Sequence, residues 1–324
     1  MMPIASSARG ALFVASLVCA SGCGDTTSTG MDTSKGDESV LVGTFQVSLV
    51  APDTATATPG YTAVIGKVSD GPTPSQIVYT ESSRSGVCVL SKPSVPFCNT
   101  PCGGSAVCVA ANTCKPYPTA KSVGTVAAAG LKTTAGSGAF SMDPVSGNYQ
   151  PPGGTVLSYP AFAEGDTITL SAAGGVYSPF VLATVGIAPL SVTSQNVQVA
   201  PNQPLHLTWT APGKSIGSKM YVKLDISHHG GTKGMIECVT DDTGSLDIAA
   251  SLVTELVNLG TAGFPTILMT RKAPIGQAVI APGRVDLVVQ SAVEQAVTVP
   301  GVTSCNSSAD CKSGMTCQSD LTCK

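Results

Sequence analysis

Several short segments carry residue types that could do chemistry. Asp242-Thr243-Gly244-Ser245 sets a carboxylate at a tight turn. Acid-base hydrolysis by such a group needs a second carboxyl sharing its proton. Only one copy of the segment exists, and Asp241 rather than an apolar strand residue precedes it, so a plain turn is expected. Gly213-Lys214-Ser215-Ile216-Gly217 has the spacing of a serine nucleophile raised on a sharp turn. That device needs a strand before it and a helix after it. Strand-like segments flank this one on both sides, which predicts a hairpin connection. Thr208 stands where a phosphate-binding loop would have its first glycine. His228 and His229 are adjacent, so on a strand they would point to opposite faces and chelate poorly, with or without Asp225. Gly230 and Gly231 after them favour a turn. The carboxylates of Glu164-Gly165-Asp166 and of 241–247 could touch calcium, but no EF-hand loop is present and turn chemistry is the simpler account.

The cysteines form a clearer pattern. Of twelve, Cys19 and Cys23 lie near the start, which leaves Cys88, Cys98, Cys102, Cys108, Cys114, Cys238, Cys305, Cys311, Cys317 and Cys323. The segment CGGSAVCVAANTCK at 102–115 matches CKSGMTCQSDLTCK at 311–324 in every cysteine and in the final Thr-Cys-Lys. A further cysteine precedes each copy, Cys98 or Cys305, so one small four-cysteine module occurs twice. These modules resemble the compact cysteine-rich knots of secreted proteins. They have too few apolar residues to offset chain entropy by burial, and cross-links do that work instead. Zinc would favour C-x2–4-C knuckles with histidine nearby, and redox chemistry would favour C-x-x-C. Neither fits, so disulfides are expected, with no metal or cofactor. Each module allows three connectivities, of which first-to-third with second-to-fourth is preferred. Cys88 and Cys238 are left over. They pair with each other across the two main domains, or Cys88 pairs within the first cluster and another member takes Cys238.

The start of the chain agrees with an oxidising compartment. Arg9 precedes the apolar stretch 11–18, which is too short to span a bilayer and suits an export signal. Small residues then lead into Cys23 in Ala-Ser-Gly-Cys. This resembles the lipobox of bacterial lipoproteins, with 1–22 as signal peptide and 23–39 as a Gly-, Ser- and Thr-rich tether. The resemblance implies lipid on Cys23 and a membrane as partner. Gly24 rather than Asp after the cysteine points, by the same analogy, to the outer membrane.

These segments need elements to hold them. Charged residues make up 11% of the chain, aromatic residues 5%, and the net charge is −3, so no basic patch offers itself to nucleic acid. Gly (35) and Pro (23) interrupt short β-branched runs, which reads as all-β. A period of two places Phe45, Val47 and Leu49 on one face, and likewise Ile168 with Leu170. The same holds for Leu205, Leu207 and Trp209, for Met220, Val222, Leu224 and Ile226, and for Val285, Leu287 and Val289. Trp209 is thereby a core residue, and Tyr149, Tyr159 and Tyr177 are too scattered to form a carbohydrate platform. The one predicted helix covers 249–259, with Leu252, Leu256 and Leu259 on one face and Gly260 as its stop.

The expectation is two β-sandwiches, 40–186 with a cysteine-rich insertion at 88–115 and 187–300, followed by a four-cysteine module at 301–324. The second sandwich resembles immunoglobulin-like or fibronectin type III-like domains in strand length, turn spacing and an early Trp. The whole layout resembles surface lipoproteins of Gram-negative bacteria. Function follows as a lipid-anchored, non-enzymatic cell-envelope scaffold for display, adhesion or binding of an unknown partner. Carbohydrate or other ligand binding is the alternative, and an envelope hydrolase with a loop-built site a further one.

Overall fold

The computed structural model describes residues 41–52, 57–136, 138–281 and 283–324. The expected signal peptide, the tether and Cys23 lie outside the described residues. In chain order the strands are β1 (Val42–Val50), β2 (Tyr61–Ser69), β3 (Val78–Ser85), β4 (Cys88–Ser94), β5 (Ala106–Ala110) and β6 (Thr113–Pro116). Then come β7 (Val126–Ala129), β8 (Ala139–Met142), β9 (Asn148–Tyr149), β10 (Thr167–Ala172), β11 (Phe180–Val185) and β12 (Leu205–Thr208). The last are β13 (Lys219–Asp225), β14 (Met235–Asp241), β15 (Ser245–Ile248), β16 (Thr266–Lys272), β17 (Gly276–Ile280) and β18 (Gly283–Ala296). Among the described residues an α-helix, α1 (Ala250–Asn258), follows β15, and a short 3-10 turn covers Ser308–Asp310. The protein is all-β. No helix among the described residues is long and apolar enough to cross a membrane.

A ten-stranded sheet dominates, in the order β3-β4-β14-β13-β16-β18-β1-β2-β9, with β17 also paired to β18. Its ladders are antiparallel except β1 with β18, which run parallel from Val42↔Arg284 to Val50↔Ala292. A four-stranded sheet, β11-β10-β7-β8, faces one part of it, and two-stranded sheets join β12 to β15 and β5 to β6. The alternation read from the sequence sets the inward faces. Phe45, Val47 and Leu49 of β1 pack with Val285, Leu287 and Val289 of β18 against Ile168 and Leu170 of β10 and Leu182 of β11. Phe45 meets the fully buried Tyr149 with ring centroids 5.2 Å apart. Gly66 is required there, because a Cβ would stand 2.3 Å from the Phe45 ring. Tyr149 donates nothing to a surface platform; its hydroxyl oxygen accepts a bond from the Val123 amide at 2.8 Å.

A second core joins Leu90 of β4, Met220, Val222 and Leu224 of β13, Ile236 of β14, and Ile267 and Met269 of β16. Across from them lie Leu205 and Leu207 of β12, Trp209, Leu246 and Ile248 of β15, and Leu252, Val253 and Leu256 of α1. Gly260 ends the helix region at φ +88°, a left-handed conformation that glycine adopts without a Cβ penalty.

The chain does not divide between its cores at 186/187 as expected. Leu90 belongs to the second core although it lies in the first half, and Val285, Leu287 and Val289 of the second half line the first. Strand β18 is fourteen residues long and passes from one core to the other: Val289 packs in the first, and Val293 packs against the second. Alternation reveals which face of a strand is buried, not which distant strand buries it.

The segment 213–217 is not a hairpin either. It leaves β12, which pairs with β15, and enters β13, which pairs with β14 and β16. The inward residues of β12 and β13 face one another across the second core, so the two strands belong to opposite layers.

Candidate functional site

Asp242, the residue singled out for acid chemistry, is the hub of a buried polar network. It follows the last residue of β14 in the turn before β15, where Gly244 adopts φ +103°. Its Oδ1 accepts bonds from Trp209 Nε1 at 2.7 Å and Arg271 Nη2 at 3.1 Å. Its Oδ2 accepts from Arg271 Nε at 2.6 Å and Ser218 Oγ at 2.8 Å. The Arg271 and Asp242 side chains are 1% and 2% exposed. Arg271 also donates to the carbonyls of Thr210 at 2.6 Å, Ala188 at 3.3 Å and Pro189 at 3.4 Å. Every lone pair that a carboxylate presents is engaged, and the fork of the guanidinium is filled. This arrangement fastens five chain segments at the edge of the second core and leaves no proton-transfer position open to a substrate.

Sequence reasoning identified Asp242 as a turn residue and missed Arg271 altogether. A signal was present. Ile267, Met269 and Arg271 share the inward parity of β16, so a cation stands where the period demands an apolar side chain. A charge at a core position needs a buried partner, and Asp242 supplies it.

The other candidates take bland places. Ser215 is exposed in the β12–β13 connection. Lys214 Nζ in that loop donates to the Glu164 carbonyl at 2.7 Å, and the Gly213 amide reaches Glu164 Oε2 at 3.2 Å. Asp166 Oδ2 accepts from the Ala163 amide at 2.8 Å, so Glu164-Gly165-Asp166 is a turn whose two carboxylates have different partners, Glu164 Oε1 being buried without one. His228 and His229 form a turn with ring centroids 3.9 Å apart. Asp225 faces away from metal chemistry: its Oδ1 accepts from Ser227 N at 2.8 Å and Ser227 Oγ at 3.0 Å. His206 Nδ1 lies 2.6 Å from Asp247 Oδ1, directly across the β12–β15 ladder, in a pair that sequence reasoning did not foresee. The side chains are 60% and 76% exposed, and so lack the desolvated pocket in which a His-carboxylate pair activates a hydroxyl.

The ten downstream cysteines form five disulfides. Cys88 joins Cys238, Cys98 joins Cys108, Cys102 joins Cys114, Cys305 joins Cys317, and Cys311 joins Cys323. Both modules therefore close first-to-third and second-to-fourth. Cys88 and Cys238 sit opposite each other on β4 and β14, with Cα atoms 4.1 Å apart, so this bond links neighbouring strands of one sheet rather than two domains. Among the described residues, the groups of potential metal ligands that come within 4.8 Å of one another are Cys98, Cys102 and Cys108, and Cys305, Cys311 and Cys323. Their sulfurs are spent in disulfides and offer no thiolate.

Two surface features remain. Lys272 Nζ lies 4.2 Å from the centroid of the Tyr221 ring on the outer face of the large sheet, and burial pushes the amine below its usual range while Glu237 opposes that. In the first module a cleft of about 500 Å³ is lined by Asn99, Thr100, Pro101, Cys102, Asn112 and Cys114, close in the chain to Phe97, which is 75% exposed.

No family model and no curated protein matches the chain. Among solved structures, the chain is similar to the FN1–FN3 domains of chicken CNTN1, at 11% identity over 74% of each chain with a TM-score of 0.19.

Proposed function

We propose that the protein is a lipid-anchored, non-enzymatic scaffold of the bacterial cell envelope, displayed from the outer membrane to bind a partner outside the cell. The anchor reading rests on the lipobox-type sequence around Cys23. The scaffold reading rests on one observation above others: Asp242, weighed for acid chemistry, spends its carboxylate on four structural bonds. Five disulfides suit an oxidising exterior. Changing Cys23 to Ala should move the protein from the membrane to the soluble fraction and abolish incorporation of labelled palmitate. Unchanged membrane association would refute the anchor.

A second reading, ligand binding by the first cysteine module, draws on the cleft at Asn99–Cys114 and the exposed Phe97. Glycan and peptide arrays probed with wild type and with Phe97→Ala decide it: a ligand lost in the variant favours this reading, and the same ligands on both reject it.

A further inference from the structure

We infer that the first cysteine module docks an uncharged polypeptide segment of a second protein, using the face by which its repeat seats itself on the body. The inference rests on the second reading above, ligand binding by the first module, and names the class of ligand. The two modules share one disulfide pattern, and from Cys102 and Cys311 onward their residues correspond without a gap. Asn112 and Leu321, each just before the final Thr-Cys, both take left-handed backbone, at φ +55° and +57°. The Asn112 amide donates to the Phe97 carbonyl at 3.1 Å, and the Cys305 amide donates to the Leu321 carbonyl at 3.0 Å. In both copies, then, the stretch entering the first cysteine lies beside the turn that precedes the last.

In the second module this face is covered. The Asp320 carbonyl accepts from the Gly263 amide at 2.7 Å, and Ser304 Oγ donates to the Gly263 carbonyl at 2.6 Å. Cys305 and Thr322 are almost fully buried there. One residue of the body is thus held through both its N–H and its C=O. The corresponding positions of the first module are Ala111, Phe97, Cys98 and Thr113. Ala111, Phe97 and Thr113 are exposed, and Cys98 is half-buried. Where the second module has the Ser304 hydroxyl, the first presents the largely exposed ring of Phe97. Covering such a ring removes apolar surface from water, and aromatic anchors carry much of the energy of an interface. The cleft described above is lined by Asn112, the residue after Ala111. No Asp, Glu, Lys, Arg or His occurs between positions 95 and 114. A charged partner would lose hydration on this face and meet no counter-charge. The occupant is therefore an uncharged segment that gives an N–H to the Ala111 carbonyl and an apolar side chain to Phe97. The chain's own Gly263 does not compete, because the second module already holds it.

The test presents a library of random disulfide-closed peptides, and in a separate arm a glycan array, to the full-length protein. Selected peptides should be poor in Asp, Glu, Lys and Arg and should shift the carbonyl resonance of Ala111. Their affinity should fall by about tenfold or more in Phe97→Ala. Asn112→Asp puts a charge on the face and keeps the oxygen that accepts from the Asn99 amide, and it should weaken them likewise. Met315→Ala, at an exposed position of the second module, should leave them unchanged. Glycans lost in Phe97→Ala, with no peptide that is, keep the second reading and overturn the inference. Selected peptides rich in charge overturn it as well. If neither peptides nor glycans respond to Phe97→Ala, the inference and the reading beneath it both fail.

Discussion

The ion pair between Arg271 and Asp242 illustrates what a single residue contributes here. Burying a charge costs several kcal/mol unless a partner and further bonds surround it. Here both side chains are almost fully buried and all the bonds are present. Removing one partner leaves the other charge stranded, so Arg271→Met should lower unfolding stability by about 3–5 kcal/mol in urea titrations. The double variant Arg271→Met/Asp242→Asn should recover part of that loss, because no net charge stays buried while an amide oxygen remains to accept from Trp209. A loss below about 1 kcal/mol in the single variant would mean that the network is not the clamp described. The tetrapeptide around Asp242 was legible as a turn, but its partners were not, because they come from residues 24 to 33 positions away and nothing local encodes them.

At the scale of elements, two closures deserve measurement. The bond between Cys88 and Cys238 ties β4 to β14 across a sequence separation of 150. Cross-linking a loop of that size restricts the unfolded chain strongly, and replacing both cysteines with Ala should cost about 2–5 kcal/mol, read from the midpoint of chemical unfolding. The second module carries Asp320, whose carboxyl is held down to about 2, first by the Lys324 ammonium and then by the Thr322 hydroxyl. Because the folded value lies below the ordinary one, its contribution to stability is complete above about pH 4 and fades as pH falls towards 2. Protection of the Gly263 and Cys323 amides, after correction for the intrinsic pH dependence of exchange, should therefore fall across that window, and Asp320→Asn should remove that fall. If the two proteins follow the same profile, Asp320 does not fasten the module. Strands, helix and module repeat were legible because alternation, capping glycine and cysteine spacing are local signals. The parallel pairing of β1 with β18 was not, since the strands are separated by more than two hundred residues and either direction satisfies the same alternation.

At the largest scale, the described residues are organised around a sheet shared by two cores. Strand β18 serves both, and β4 reaches the second core from the first half of the chain. Along β18, the start of β1 pairs near Gly283, and the second module bonds to Gly263 near the Ala296 end. The proposed role at a surface depends on Cys23 as the anchor. The most direct test is intact and peptide mass spectrometry of the protein isolated from the membranes of its native cells under non-reducing conditions. The account predicts a mature chain that begins at Cys23, carries glyceride and acyl mass on that residue, and has no free thiol among the ten cysteines downstream. A chain that begins elsewhere, or an unmodified Cys23, would contradict it.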